Sequence, residues 1–510
     1  MQKRTLILIA FIIVKIVAQY FLINPEYNLH RDEYLHLDQA KHLAWGYVSL
    51  PPLTSWISYI ILVLGNTVFW VKFFPALFGA LTILVVWKTI EELKGNLFAL
   101  ILGATCILCS VILRLNILYQ PNSLDILLWT TVYFSIVKYI STRNEKWLYF
   151  LALTFALGFL NKYNIAFLLL GLLPALVLTE HRTLFLNKHF YGALLLAFVI
   201  VLPNLIWQYN HSFPVFYHME ELAKTQLKNV NRGDFLKEQL LFFIGSLFVL
   251  LAGFISFFTY PVLRKYLILF WAFLFSMLIF IYFKAKGYYA IGLYPIFMAF
   301  GAVYLEQLLK RKWLFYLRPI ALLLPIALLI PFLKVAFPIY SPATIQQNIR
   351  AYKNLGLLRW EDGKDHSLPQ DFADMLGWQE LAKKVDSAYH KINDGEHTLV
   401  LCDNYGQAGA INYYSSIKNI QAVSFNADYI NWFPLNKKIK HAILVKEIID
   451  EEKDRKKQKE QFDIVEKSGE ITDSFAREFG TAIYILKNAR IDINELLKKE
   501  IEEEKGLKKL

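Results

Sequence analysis

Cysteine is nearly absent, with three in 510 residues. Cys106 and Cys109 lie inside one apolar run, the usual setting of small buried hydrophobes, and Cys402 stands alone, so no disulfide framework is implied. Charge is scarce too: 19% of residues, against 56% hydrophobic and 16% aromatic. That balance lies far from soluble usage and excludes an ordinary soluble enzyme. A nucleotide-binding glycine fingerprint is missing. The turn Asp403-Asn-Tyr-Gly406 leads from a predicted strand into a predicted helix, as a phosphate loop would, but lacks the glycine spacing. There is no internal repeat and no low-complexity linker. The first apolar segment, Leu6 to Leu22, lacks a small-residue cleavage site and is read as an uncleaved span.

What the chain has is length of apolar sequence. A span needs about 20 mostly apolar residues, and the sequence predicts spans at 5–23, 68–90, 97–113, 123–140, 147–161, 164–178, 190–208, 240–259, 266–283, 287–305 and 313–334. This is a polytopic α-helical membrane protein of about eleven spans, with 53–64 read as an interfacial helix. With the amino terminus inside, the inner connectors carry Lys88 and Lys94, Arg143 and Lys146, Arg182 and Lys188, Arg264 and Lys265, and Lys310-Arg-Lys312. All are short and basic, as the positive-inside rule asks. Topology therefore accounts for the net charge of +12, and no nucleic-acid partner is expected.

The outer connectors are a different population. They are 24–67, 114–125, 161–164, 209–239 and 284–289, and the unusual polar chemistry falls in them. An odd span count also puts the tail, 341–510, outside. There, predicted strands (Thr398–Cys402, Ile420–Phe425, Ala442–Val445, Thr481–Leu486) alternate with helical patterns (Phe372–Ile392, Gln407–Tyr414, Ile448–Gln461), which reads as an α/β soluble domain. The run Lys446–Lys467 and the closing Lys/Glu-rich helix read as solvated helix faces. The domains are thus 1–340, transmembrane, with its first outer loop at 24–67, and 341–510, extracytoplasmic.

That first loop is chemically loaded: His30-Arg-Asp-Glu33, His36, Asp38, Lys41 and His42. Asp32 and Glu33 are paired carboxylates suited to general-base work or to a divalent cation. Asp125 opens an apolar run at the outer end of a span, where a lone carboxylate is costly and by default functional, or else caps the helix. Lys162 is pinned between two apolar segments, and Lys286-Gly287 precedes Tyr288-Tyr289. A single lysine there would be read as snorkelling to the headgroups. Two lysines facing the same side as three acids suggest an anionic substrate.

Taken together, His30-Arg-Asp-Glu33, Trp45-Gly-Tyr47 with Pro51-Pro52, Asn122-Ser-Leu-Asp125, Leu160-Asn-Lys-Tyr163, Pro203-Asn-Leu-Ile-Trp207 and Lys284-Ala-Lys-Gly-Tyr-Tyr289 carry a family resemblance. They resemble bacterial membrane glycosyltransferases of the protein-mannosyltransferase-like group with the C-type fold, similar to aminoarabinose transferases and dolichyl-phosphate-mannose protein mannosyltransferases. The motifs run in family order across residues 1–305. Leu50 stands before Pro51 where the aminoarabinose transferases place a lysine, and the β-trefoil insert of the eukaryotic enzymes is absent.

The resemblance implies a polyprenyl-phosphate-linked sugar donor, an outer-face active site in a bacterial inner membrane, and chemistry carried by the first-loop acid. Asp32 would then be the base. Glu33 would support it or help hold a cation, and Asp125 would orient the sugar or a metal. Lys162 and Lys286 would stabilise the donor phosphate, with His30 and Arg31 binding substrate and Tyr288 and Tyr289 lining a prenyl-phosphate groove. A divalent metal on Asp32, Glu33 and Asp125 is left open, as is the acceptor: lipid, glycan or protein. The rival readings are a lipid-linked saccharide transporter or flippase, and a ligase that joins oligosaccharide to lipid.

Overall fold

The structure, a computed structural model, describes residues 2–225, 227, 230–392, 395–449 and 454–508. Each predicted span is met by a helix or a bent helix pair. Among the described residues six helices are long and apolar enough to cross a bilayer: Gln2–Phe21, Val68–Glu92, Pro121–Thr142, Lys188–Asn210, Pro261–Tyr282 and Trp313–Ala336. Three more candidates are pairs bent by 104°, 62° and 50° (Tyr163–Leu178 with Glu180–Leu186, Arg232–Phe242 with Ile244–Thr259, Gly287–Leu293 with Pro295–Leu308). The remaining two predicted spans are the short apolar helices Leu97–Leu108 and Lys146–Asn161, of 12 and 16 residues. They reach only about 18 and 24 Å along their axes, short of a hydrocarbon core of about 30 Å.

Small residues set the closest helix approach. A Cβ on Gly301 would run into the Val249 carbonyl, and one on Gly253 into that of Phe297, so Leu247–Thr259 and Pro295–Leu308 pack backbone to backbone. The stretch 209–239, read from sequence as one long connector, instead holds the helix Pro214–Thr225 and most of Arg232–Phe242. The first loop is likewise structured. It folds into a helix over Arg31–Gln39 before the apolar helix Leu53–Val63.

The C-terminal part carries a five-stranded sheet of β1 (Thr398–Cys402), β2 (Ala422–Ser424), β3 (His441–Lys446), β4 (Phe462–Glu470) and β5 (Ala482–Ala489) in the order β2-β1-β3-β5-β4. β1 runs parallel to β2 and β3, and β5 is antiparallel to β3 and β4. β4 corrects the sequence reading, which took this charged run as a helix face. It is an edge strand whose outward residues stay solvated, and charge on such an edge discourages pairing with another chain. The predicted helix 448–461 is a helix only over Lys456–Gln461, and 450–453 lie outside the described residues. The helix predicted over 372–392 breaks into Gln370–Ala373 and Trp378–Ile392 around Gly377, whose φ of +81° suits glycine.

The loop helix Arg31–Gln39 is held between the two parts of the chain. Tyr34, Leu35 and Leu37 share one apolar cluster with Trp378, Ala408 and Ile411. The Tyr34 and Trp378 rings meet edge to face at 5.8 Å. Gly409 makes this possible, since a Cβ there would sit 2.6 Å from that of Tyr34. The helix Tyr405–Tyr414 therefore lies directly on the loop helix.

Candidate active site

The loop helix begins with a capping box. His30 Nδ1 accepts from the Asp32 N–H at 3.2 Å, and Glu33 Oε2 accepts from the His30 N–H at 2.6 Å. That leaves the His30 ring proton on Nε2, facing the buried Asp374 carboxylate at 3.6 Å. Glu33 is turned inward and saturated. Both its oxygens accept from Lys72 Nζ at 2.9 Å, and Oε1 also takes the Tyr119 N–H at 2.6 Å. It does hold a cation, but the cation is a lysine from the Val68–Glu92 helix.

Asp32 points the other way and keeps about a third of its side chain exposed. Its Oδ2 accepts from Gln120 Nε2 at 2.9 Å and its Oδ1 from the Tyr405 hydroxyl at 2.6 Å. Arg31 lies over the Tyr405 ring at 4.6 Å. Partial burial pushes the Asp32 carboxyl up. The His30 imidazole beside it, the Arg31 charge and the Tyr405 hydrogen bond outweigh it and hold the group below the usual carboxylate range. Asp32 is thus a fixed, ionised carboxylate with open space on one side.

A second arm runs from Asp32 to the cations. Gln120 Oε1 accepts from Asn122 Nδ2 at 3.1 Å, and Asn122 Oδ1 accepts from Lys162 Nζ at 2.7 Å. Lys162 sits in an extended break between helices, its ammonium 4.4 Å from the Tyr289 ring centre and 5.1 Å from that of Tyr288. Asp125 lies within electrostatic reach of Lys162 and accepts from Trp129 Nε1 at 2.9 Å. Lys286 stands at the margin, paired with Glu361 at 2.8 Å. Asp32, His30, Arg31, Asp125, Lys162, Tyr288 and Tyr289 are therefore brought to one region. Glu33 backs it from behind.

The metal option does not fit these residues. Glu33 has no free lone pair to offer, and among the described residues no group of three or more His, Cys, Asp and Glu could hold a metal ion. Asp32, Glu33 and Asp125 do not converge as a ligand set.

Sequence reasoning missed Gln120, Lys72, Tyr405 and Asp374. Lys72 carried a usable signal, because a lysine inside an apolar span needs a partner. The others are ordinary residues until the fold delivers them. The quoted motifs do interlock: Asn204 Nδ2 donates to the Trp45 carbonyl at 2.6 Å, Asn204 Oδ1 accepts from Tyr163 at 3.1 Å, and Gly46 lies against the Trp207 ring.

Comparison with known proteins bears on the fold and the family likeness. Residues 49–207 match the family dolichyl-phosphate-mannose-protein mannosyltransferase. A curated relative, lipid A galacturonosyltransferase RgtD of Rhizobium johnstonii, is 25% identical over 207 residues, which cover 38% of this chain and 43% of that protein. The match thus spans less than half of the relative's length. ArnT from Cupriavidus metallidurans, solved bound to undecaprenyl phosphate, superposes with a TM-score of 0.61 at 13% identity over 94% of this chain and 97% of that one. Its apo state gives the same TM-score and identity over 98% of that chain. The chain is a multi-pass membrane protein with the C-type glycosyltransferase fold, and the resemblance to protein-mannosyltransferase-like membrane glycosyltransferases holds.

Proposed function

We propose that the chain is an inverting glycosyltransferase that moves a sugar from a polyprenyl-phosphate carrier to an acceptor hydroxyl at the outer face of a bacterial inner membrane. The observation that carries this reading is the continuous hydrogen-bonded path from the ionised Asp32 through Gln120 and Asn122 to Lys162. It fixes an acid and a cation in one frame, which transfer from a lipid phosphate requires. Positive charge develops on the sugar while negative charge gathers on the departing phosphate, and fixed charges of both signs stabilise that separation. The fold shared with an undecaprenyl-phosphate-bound protein supports the choice of donor.

In this mechanism Asp32 takes the proton of the acceptor hydroxyl as its oxygen attacks the anomeric carbon. The bond from that carbon to the phosphate oxygen breaks on the opposite face, its electron pair leaves with the lipid phosphate, and the configuration inverts. Lys162 faces the phosphate and Asp125 steadies Lys162. Lys286 assists from the rim, where it is shared with Glu361.

The purified protein is expected to transfer label from a polyprenyl-monophosphate sugar and to be inert with nucleotide-diphosphate sugars. Transfer from the nucleotide donor alone overturns the reading. The side of the membrane is tested with a reporter fused after Lys334: alkaline phosphatase activity is expected, whereas a fluorescent, phosphatase-inactive fusion places the tail inside. A third expectation concerns Tyr405→Phe. Losing the hydroxyl removes a hydrogen bond that favours the charged form, so the Asp32 carboxyl titrates at higher pH. The acid limb of the rate profile should move toward neutrality with the plateau largely kept, and an unshifted limb argues against Asp32 as the titrating base.

A further inference from the structure

A pocket of about 410 Å³ opens beside the far end of the loop helix, lined among others by Asp38, Lys41, His42, Asn412, Gln421 and Trp432. None of these residues serves the chemistry above. The volume falls in the usual range for small-molecule sites, about 300–1,000 Å³. The His42 and Trp432 rings, both lining the pocket, stack on each other at 4.2 Å and 10°, which makes one wall aromatic. Asp38 accepts from Lys41 at 3.0 Å, from Asn412 at 2.6 Å and from the Tyr429 hydroxyl at 2.8 Å. Its charge is therefore balanced by Lys41, whose ammonium keeps further donors. Burial pushes the His42 imidazole down, so that wall is neutral. Gln421 spends its amide N–H on the Trp432 carbonyl at 2.7 Å and keeps a carbonyl oxygen to accept with.

Two features narrow the ligand. The pocket follows β2, one of the two edge strands of the sheet, where an extended peptide could add a strand. At Ala422 that edge is already taken: the Asn412 side chain accepts from the Ala422 N–H at 2.8 Å and donates to its carbonyl at 3.1 Å, doing there what a neighbouring strand would do. An aromatic wall beside uncommitted donors and acceptors, with no net charge, suits the C–H groups and hydroxyls of a neutral sugar.

We propose that this pocket is a subsite for a neutral saccharide unit of the acceptor. The assignment of the sugar to the acceptor rests on the transferase reading. Asp38 lies six residues beyond Asp32 on the same helix, an axial rise of about 9 Å. The two carboxylates lie about 120° apart around the helix, so a glycan whose terminal hydroxyl reaches Asp32 lays an inner residue here by curving round the helix end.

The test probes full-length protein in nanodiscs with an array of neutral hexose and N-acetylhexosamine oligosaccharides and of uronate-bearing ones, alongside Trp432→Ala and Gln421→Ala. The wild type is expected to retain neutral oligosaccharides, with affinity lowered tenfold or more by Trp432→Ala and about threefold by Gln421→Ala. Retention of no saccharide, of uronate-bearing ones alone, or equal retention by both variants overturns the proposal. Consumption of a polyprenyl-phosphate sugar by the wild type is followed in parallel. Trp432-dependent retention without donor consumption supports a saccharide pocket and tells against the transferase reading instead.

Discussion

Asp32→Asn is expected to leave a folded, inserted protein whose transfer rate falls by about 10²–10⁴-fold, the usual contribution of a positioned general base. The substitution is nearly isosteric. The side-chain oxygen can still accept from Gln120 and the new amide can donate to the Tyr405 oxygen, so the frame around the site should survive. What is lost is the negative charge and the capacity to take a proton. The measurement is single-turnover transfer from labelled polyprenyl-phosphate sugar, with thermal unfolding run beside it. A purified variant with near-wild-type turnover would remove Asp32 from the role of base, whatever else it does.

Glu33 should behave differently from its neighbour. The sequence reading has Glu33 support Asp32 or help hold a cation, and in the structure Glu33 is fully buried against the nearly buried Lys72. Glu33→Gln strands the Lys72 ammonium, and Lys72→Met strands the Glu33 carboxylate. Breaking a buried pair from one side costs about 3–5 kcal/mol, whereas replacing both partners is often neutral. Each single variant should therefore unfold at markedly lower temperature or fail to extract as monodisperse protein. Glu33→Gln with Lys72→Met should recover part of the loss, because the stranded charge is gone, although the single glutamine oxygen can accept from only one of the Tyr119 and His30 N–H groups that now use separate carboxylate oxygens. A double variant no more stable than the worse single one would show that the pair is not what holds the loop helix.

These two acids show where sequence reading works and where it stops. Adjacent carboxylates in an oversized loop pointed to the stretch that the fold builds into a hydrogen-bonded frame, because such groups are costly near a membrane and need partners. Their opposite fates were not legible, since neighbouring positions on a helix face different ways and only the fold says which face is buried. The spans were legible from hydropathy alone, yet two of them prove too short to cross a bilayer on their own length. The helix in the first loop could have been seen. Glu33 stands three residues after His30, the spacing of a capping box, but histidine in place of serine or threonine hides it. β4 was obscured by its solvated edge. Tyr405 offered no local sign, because its meaning depends on a residue near the other end of the chain.

That last contact bears on how the protein is made. The hydrogen bond from Tyr405 to Asp32 joins residues 373 positions apart. At about 5–20 residues per second, a ribosome needs on the order of tens of seconds to travel from one to the other. For that interval the first hairpin sits in the bilayer with its carboxylate unclasped and its histidine without Asp374. The frame around Asp32 therefore cannot close until Tyr405 has been made, and a product truncated before it would occupy the membrane with that frame unfinished.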